Sequence, residues 1–303
     1  MGWLREVYVH RSLLVLLIPG LVYLIVFHFL PLYGMTLAFK SFDVNEGILG
    51  SPWANPVLKH FNKLLLNPDA FLRTIVNTIR IAVLTTVFGF PAPIILAILL
   101  NELRSQTYKR TVQTILYFPH FLSWVFLGAM VVEFMSPGSG VMGALYRAFG
   151  ARAPYFMVDP QAWLAVYILS GIWKEVGFST IVYLASIASI DQELYEAGYI
   201  DGAGRMSMAW HITLPSMIPV ITILFIFRMG GLLSANFEQV FNLYNPLVYE
   251  IADVIDTYIY RLAFEGFQYE FSTALTMLRT GVAMILVWGT NAIVRRFSDY
   301  GIW

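Results

Sequence analysis

EAGYIDGAGRMSMAWHITLP, running from Glu196 to Pro215, interrupts a chain that otherwise proceeds through long apolar stretches. Asp191, just ahead of it, stands where an N-cap belongs, and Glu193 falls in the first turn, where the positive end of the helix dipole favours an acid. Leu194, Ala197 and Gly198 follow at i, i+3 and i+4, one narrow face of small and apolar residues. Asp201-Gly202 and Gly204 then end the helix, with glycine suited to a left-handed cap and a sharp turn. A second short helix is predicted from Arg205. Pro215 sits near the start of the next apolar run, where a missing N–H is harmless. The stretch reads as helix, turn, helix: an exposed helix held between two spans, in the form of a docking element.

Outward from this point, the composition is that of a membrane protein. Of 303 residues, 58% are hydrophobic and only 13% charged, against about 25% charged in soluble domains. Six segments approach the roughly 20 apolar residues needed to cross the hydrocarbon core: Leu13–Leu37, Thr74–Leu100, Val112–Met135, Trp163–Ile187, Pro215–Leu233 and Thr273–Val294. The first resembles a signal peptide at its start but continues past Pro19-Gly20 without a small-residue cleavage site, so it is expected to remain attached. Prolines inside the runs, such as Pro91, Pro93 and Pro119, are tolerated where neighbouring helices satisfy the freed backbone groups. The expected architecture is all-α, a single transmembrane domain over 1–303.

Basic residues set the expected orientation. With both termini inside, the short cytoplasmic pieces carry Arg5, Arg11, Arg104, Lys109, Arg110, Arg205, Arg295 and Arg296, whereas the outer loops are longer and richer in acids. Residues 189–215 then form a cytoplasmic loop and 234–271 an extracytoplasmic segment. In the latter, Val248, Ile251, Ala252, Ile255, Ile259 and Leu262 share one helical stripe. They are read as an amphipathic helix on the outer interface or packed on the bundle, or as a surface for an outer partner.

The spacing of the cytoplasmic loop, Glu196-Ala197, then Gly202, then Ile212-x-Leu214-Pro215, resembles the EAA signature of permease subunits of binding-protein-dependent ABC importers. Gly198 stands where that signature usually has alanine. The texts GIWKEVGFSTIVYLASI (Gly171–Ile187) and NFEQVFNLYNPLVYEIADVIDTYIYR (Asn236–Arg261) are similar to the branch that takes up oligosaccharides and polysaccharide fragments, alginate-type permeases among them. The resemblance implies a type I importer permease fold in the bacterial inner membrane, with both ends inside. It implies four kinds of partner: a second permease, two ATPase subunits that bind ATP and Mg, an extracytoplasmic solute-binding protein, and an oligosaccharide. It also implies that Glu196, Ala197, Gly198, Asp201, Gly202, Ile212, Leu214 and Pro215 couple the chain to the ATPase. Within that class, anionic uronic-acid oligomers and neutral oligosaccharides both remain open as cargo.

Other chemistries find little support. Cysteine is absent, which removes disulfides and thiolate sites. No Gly-Lys pair exists, hence no P-loop, and ATP hydrolysis belongs to a partner rather than to this chain. Zero net charge gives no basic tail for nucleic acid. The G-x-G-x-x-G at Gly138, Gly140 and Gly143 follows a span rather than a strand and is read as a flexible turn. His28 and His120 are expected to be packed polar residues rather than metal ligands, and no catalytic constellation emerges. An ion-coupled secondary transporter would show inverted repeats and paired half-helices, and neither is visible.

Ionisable groups within spans are costly and tend to face a wet cavity or the bundle interior. Trp173, Lys174, Glu175, Arg228, Asn236 and Arg279 are the candidate substrate path, with Phe178 and Tyr183 as further aromatic candidates. Arg228 and Arg279, on the last two spans, are expected to give an outward cavity a positive field that attracts anions. Arg80 and Glu133, nearer span ends, are expected to pair locally or snorkel. Lys174 and Glu175 are adjacent and are expected to point apart, neither satisfying the other.

Overall fold

The computed structural model describes residues 11–66, 68–232 and 236–297. Arg5, in the expected cytoplasmic set, Leu233, the expected end of span five, and the first two residues of the expected outer segment 234–271 lie outside them. The principal helices are α1 (Arg11–Leu24), α2 (Pro68–Gly89), α3 (Pro91–Asn101), α4 (Gln106–Tyr117), α5 (Trp124–Phe134), α6 (Val141–Ala148), α7 (Pro160–Ala188), α8 (Gln192–Ile200), α9 (Leu214–Gly230), α10 (Phe237–Leu243) and α11 (Tyr269–Phe297). Among the described residues, five runs are long and apolar enough to cross a bilayer: Val15–Phe39, Phe71–Asn101, Pro160–Ala188, Arg205–Gly230 and Tyr269–Ile293. The fourth of these starts within the loop expected to be cytoplasmic, since Arg205–Met208 and a π-turn over Ala209–Thr213 lead without a break into α9.

The span expected over Val112–Met135 is not one continuous helix. Gln106–Phe121 and Trp124–Phe134 meet at 104°. Pro119 has no N–H to continue the ladder, and Phe118–Phe121 tightens into a 3₁₀ turn. Ser123 then caps α5 by accepting from the Phe126 N–H. The corner takes the carbonyls of His120 and Leu122 out of the helical ladder, and in lipid such groups need another donor. Lys174 Nζ supplies it, donating to the two oxygens at 2.6 and 2.8 Å.

The structure divides into two units, Met1–Pro68 with Ile259–Arg279, and Asp69–Tyr258 with Thr280–Trp303. The larger is built on α7. Asp159 caps this helix by accepting from the Ala162 N–H at 2.8 Å, and Pro160 occupies its first turn. Its buried positions, among them Trp163, Tyr167, Ser170, Lys174, Gly177 and Thr180, recur every third or fourth residue, so one stripe faces the interior. Gly177 allows α4 to approach backbone to backbone, because a Cβ there would overlap the Leu116 carbonyl. Burial of Trp163, Leu127, Val240 and Leu243 joins α5, α7 and α10 in one apolar core.

The expected amphipathic helix of the outer segment is also corrected. Its backbone is interrupted: a 3₁₀ turn at Pro246–Val248, a short helix Tyr249–Ala252, and a second helix Ile255–Tyr260. The stripe was nonetheless a true burial signal, with Val248 and Ala252 at 0% exposure. The α2 helix fixes this irregular backbone through polar side chains. Asn77 Nδ2 donates to the carbonyls of Glu250 and Asp253, Arg80 Nη2 to that of Ile251, and Thr78 Oγ1 accepts from the Ile255 N–H. Arg80 thus pairs locally, as its position near a span end implied.

The glycine-rich turn after α5 is packed rather than loose. A Cβ on Gly140 or Gly143 would overlap carbonyls of the turn, and Arg147 Nη1 donates to Pro137 O and Gly138 O at 2.9 Å each. In the smaller unit, Lys40 is buried and donates to Ile48 O and Leu49 O, while a single bridge pairs Lys40 with Trp53. Glu270 accepts from the Phe42 N–H, and Lys63 donates to Gln268, which ties the segment between α1 and α2 to the one that leads into α11.

Candidate functional site

A cavity of about 470 Å³ opens within the larger unit, in the range typical of small-molecule sites. Its wall comes from α2, α3, α7, α9 and α10. Much of the lining is apolar, from Ala82, Pro93, Ile172 and Leu224, with Glu175, Arg228, Asn236 and Gln239 among its polar members. Phe178 and Tyr183 add aromatic faces. Trp173 is exposed and lies off this lining, as does Lys174, which is 7% exposed and turned to the corner of the third span. Arg279 is half-buried and belongs to the other unit.

The two ionised groups on the lining stand in different electrostatic positions. Glu175 Oε2 meets His120 Nδ1 at 2.9 Å, and its Oε1 lies 3.8 Å from Lys174 Nζ. The expectation that Lys174 and Glu175 point apart is thus corrected. Both side chains reach the same corner, and the long lysine stem closes the gap. The imidazole of His120 also stacks on Phe178, centroids 3.9 Å apart and planes 1° from parallel. Arg228, by contrast, is exposed and has no ion pair among the described residues. The cavity therefore presents a carboxylate held by His120 and Lys174, and a guanidinium that makes no ion pair among the described residues.

The Glu196–Pro215 stretch and its approach form the element their residues imply. Asp191 Oδ1 accepts from the Glu193 N–H at 3.0 Å, which starts α8. Gly202 has φ +76°, and the bonds Ala203 N–H to Gly198 O and Gly202 N–H to Tyr199 O complete a Schellman cap. Gly198 faces inward: a Cβ there would lie 3.0 Å from Ile212 Cδ1 and 3.6 Å from Met208 Cγ. The hydroxyls of Tyr195 and Thr213, 2.9 Å apart, join α8 to the return path. Ile212 and Leu214 are half-buried, whereas Glu196, Ala197, Asp201, Gly202 and Pro215 are exposed. Tyr199 and Ile200, 78% and 84% exposed, extend the outward surface beside Glu196. Spacing alone does not single out these two, although a Tyr-Ile pair ahead of a glycine cap is an apolar signal on an exposed turn. Nor does it single out Gln239, because a neutral amide among Phe, Glu, Val and Phe carries no motif.

A bundle of spans with a rigidly capped helix displayed on one loop, and a cavity among its central helices, has the form of a membrane transport subunit. Comparison with known proteins agrees. Residues 89–299 match the family of binding-protein-dependent transport system inner membrane components, and the chain belongs to that family. It is 38% identical to Protein LplB of Bacillus subtilis over 99% of this chain and 94% of that one. It is also 38% identical to the polygalacturonan/rhamnogalacturonan transport system permease protein YteP of the same organism, over 97% and 90% of the two chains. The crystal structure of a bacterial ABC transporter involved in the import of the acidic polysaccharide alginate holds a chain 38% identical to this one. That chain superimposes with a TM-score of 0.89 over 98% of this chain and all of its own. The protein is thus an inner-membrane permease subunit of the ABC class, a transport component rather than the ATPase.

Proposed function

We propose that this chain forms half of the translocation path of an importer for anionic oligosaccharides. A second permease, two ATPase subunits and a solute-binding protein complete the machine, and both termini and α8 lie on the cytoplasmic side. The observation that carries the cargo assignment is Arg228: an exposed guanidinium on the cavity lining, without an ion pair, beside a carboxylate already matched by His120 and Lys174. A sugar carboxylate entering there gains a charge-assisted partner that a neutral sugar does not need. Support from relatives is consistent, since one is named for polygalacturonan and another structure is of an alginate transporter bound to its pentasaccharide-loaded periplasmic protein.

The test is uptake of a uronic-acid oligomer and of a neutral oligomer of equal length by the complete complex carrying Arg228→Gln. Loss of a hydrogen bond to a charged group is expected to lower uronate uptake by about tenfold or more while the neutral sugar changes by less than about twofold. Equal effects on both sugars, or none on the uronate, would refute the anionic assignment and leave neutral oligosaccharides as the cargo.

A further inference from the structure

Gln239 on α10 is 3% exposed, yet it reaches the cavity lining. Its Nε2 donates to Tyr167 O at 2.6 Å and to Ser170 Oγ at 3.2 Å. The amide cannot be turned round. A backbone carbonyl only accepts, and the Ser170 hydroxyl already spends its hydrogen on Tyr167 O at 3.1 Å, so both neighbours present lone pairs to Gln239. The side chain lies flat against Gly171, where a Cβ would come within 3.1 Å of both amide heteroatoms. Nitrogen is therefore committed to α7, while Oε1 has no hydrogen bond among the described residues.

We infer that Gln239 Oε1 is a specificity-determining acceptor that reads one hydroxyl of the cargo. The inference rests on the saccharide reading of the cavity but not on the charge of the sugar. In an open cavity water can satisfy such an oxygen. A cargo must then bring its own O–H to the same place, or strand a fixed, nearly buried acceptor. Arg228 would select for a carboxylate and Gln239 for a hydroxyl, so the two demands are chemically distinct and separately testable.

The experiment replaces single hydroxyls of a transported oligosaccharide with fluorine, which keeps size and polarity but cannot donate. Uptake of each analogue is measured with the complete complex, using wild-type permease, Gln239→Met and Ser170→Ala, and the same solute-binding protein throughout. The wild type is expected to disfavour one analogue by about tenfold relative to the parent. Gln239→Met should erase that preference, and Ser170→Ala, which frees one side of the amide, should reduce it. A merely structural role would lower uptake of parent and analogue alike and leave their ratio unchanged, which would overturn the inference. So would a wild type indifferent to every single replacement. Where Gln239→Met does not assemble, the ratio measured with Ser170→Ala decides. If the wild type transports neutral and anionic parents equally yet shows the hydroxyl preference, the anionic assignment alone fails. If it transports no saccharide at all, the function proposed above fails with it.

Discussion

Lys174 shows how a charge within a span can be structural while resembling a path residue. Its Nζ donates to two carbonyls of the broken third span and stands 3.8 Å from the Glu175 carboxylate, an ion-pair contact beyond hydrogen-bond reach. Nothing local to the sequence reveals this, because the acceptors lie more than fifty positions away and exist only where Pro119 has broken a helix. Asp191 and Gly202 are the opposite case. Cap and turn chemistry depend on near neighbours, and both residues occupy the conformations their types imply. Replacement of Lys174 by Met, similar in volume but without a donor, is expected to destabilise the protein by about 2 kcal/mol, from two carbonyls left without a partner in an apolar setting. The check is thermal unfolding of the detergent-solubilised chain, where a midpoint lowered by several degrees is expected; an unchanged midpoint would show that the corner does not need its ammonium.

At the scale of elements, hydrophobic patterning reported burial more faithfully than continuity. The stripe from Val248 to Leu262 fits a single helix by period, and several of its members are buried, but an extended Asp253 divides the backbone. Side-chain acceptors and donors on α2 then compensate the breaks, a pairing between distant segments that period alone cannot contain. α8 was legible because its identity rests on spacing within one loop. Its rigidity has a functional corollary. With Gly198 and Tyr195 packed against the return path and Glu196 outside, a push on α8 would, on the proposed function, pass to the run that becomes α9. In the complete complex, Glu196→Lys is expected to leave assembly intact and to cut binding-protein-stimulated uptake by about tenfold, since a like charge replaces an attractive contact with the ATPase. Normal uptake by a fully assembled Glu196→Lys complex would remove Glu196 from the coupling surface.

For the whole molecule, the class followed from composition, spans and one loop, whereas the cavity required the fold. Glu175 and Arg228 attract notice as charges in apolar text, but only the structure separates a carboxylate already matched from a cation left open. The central claim is that this chain moves saccharides with energy from ATP hydrolysed on a partner, transmitted through α8. The most direct measurement is accumulation of a labelled uronic-acid oligomer in proteoliposomes that contain the complete complex, with ATP and an imposed proton or sodium gradient supplied separately. Accumulation that needs both ATP and the solute-binding protein, and that is indifferent to the gradient, is the result expected. Accumulation driven by the gradient without ATP would contradict the account and make the protein an ion-coupled carrier.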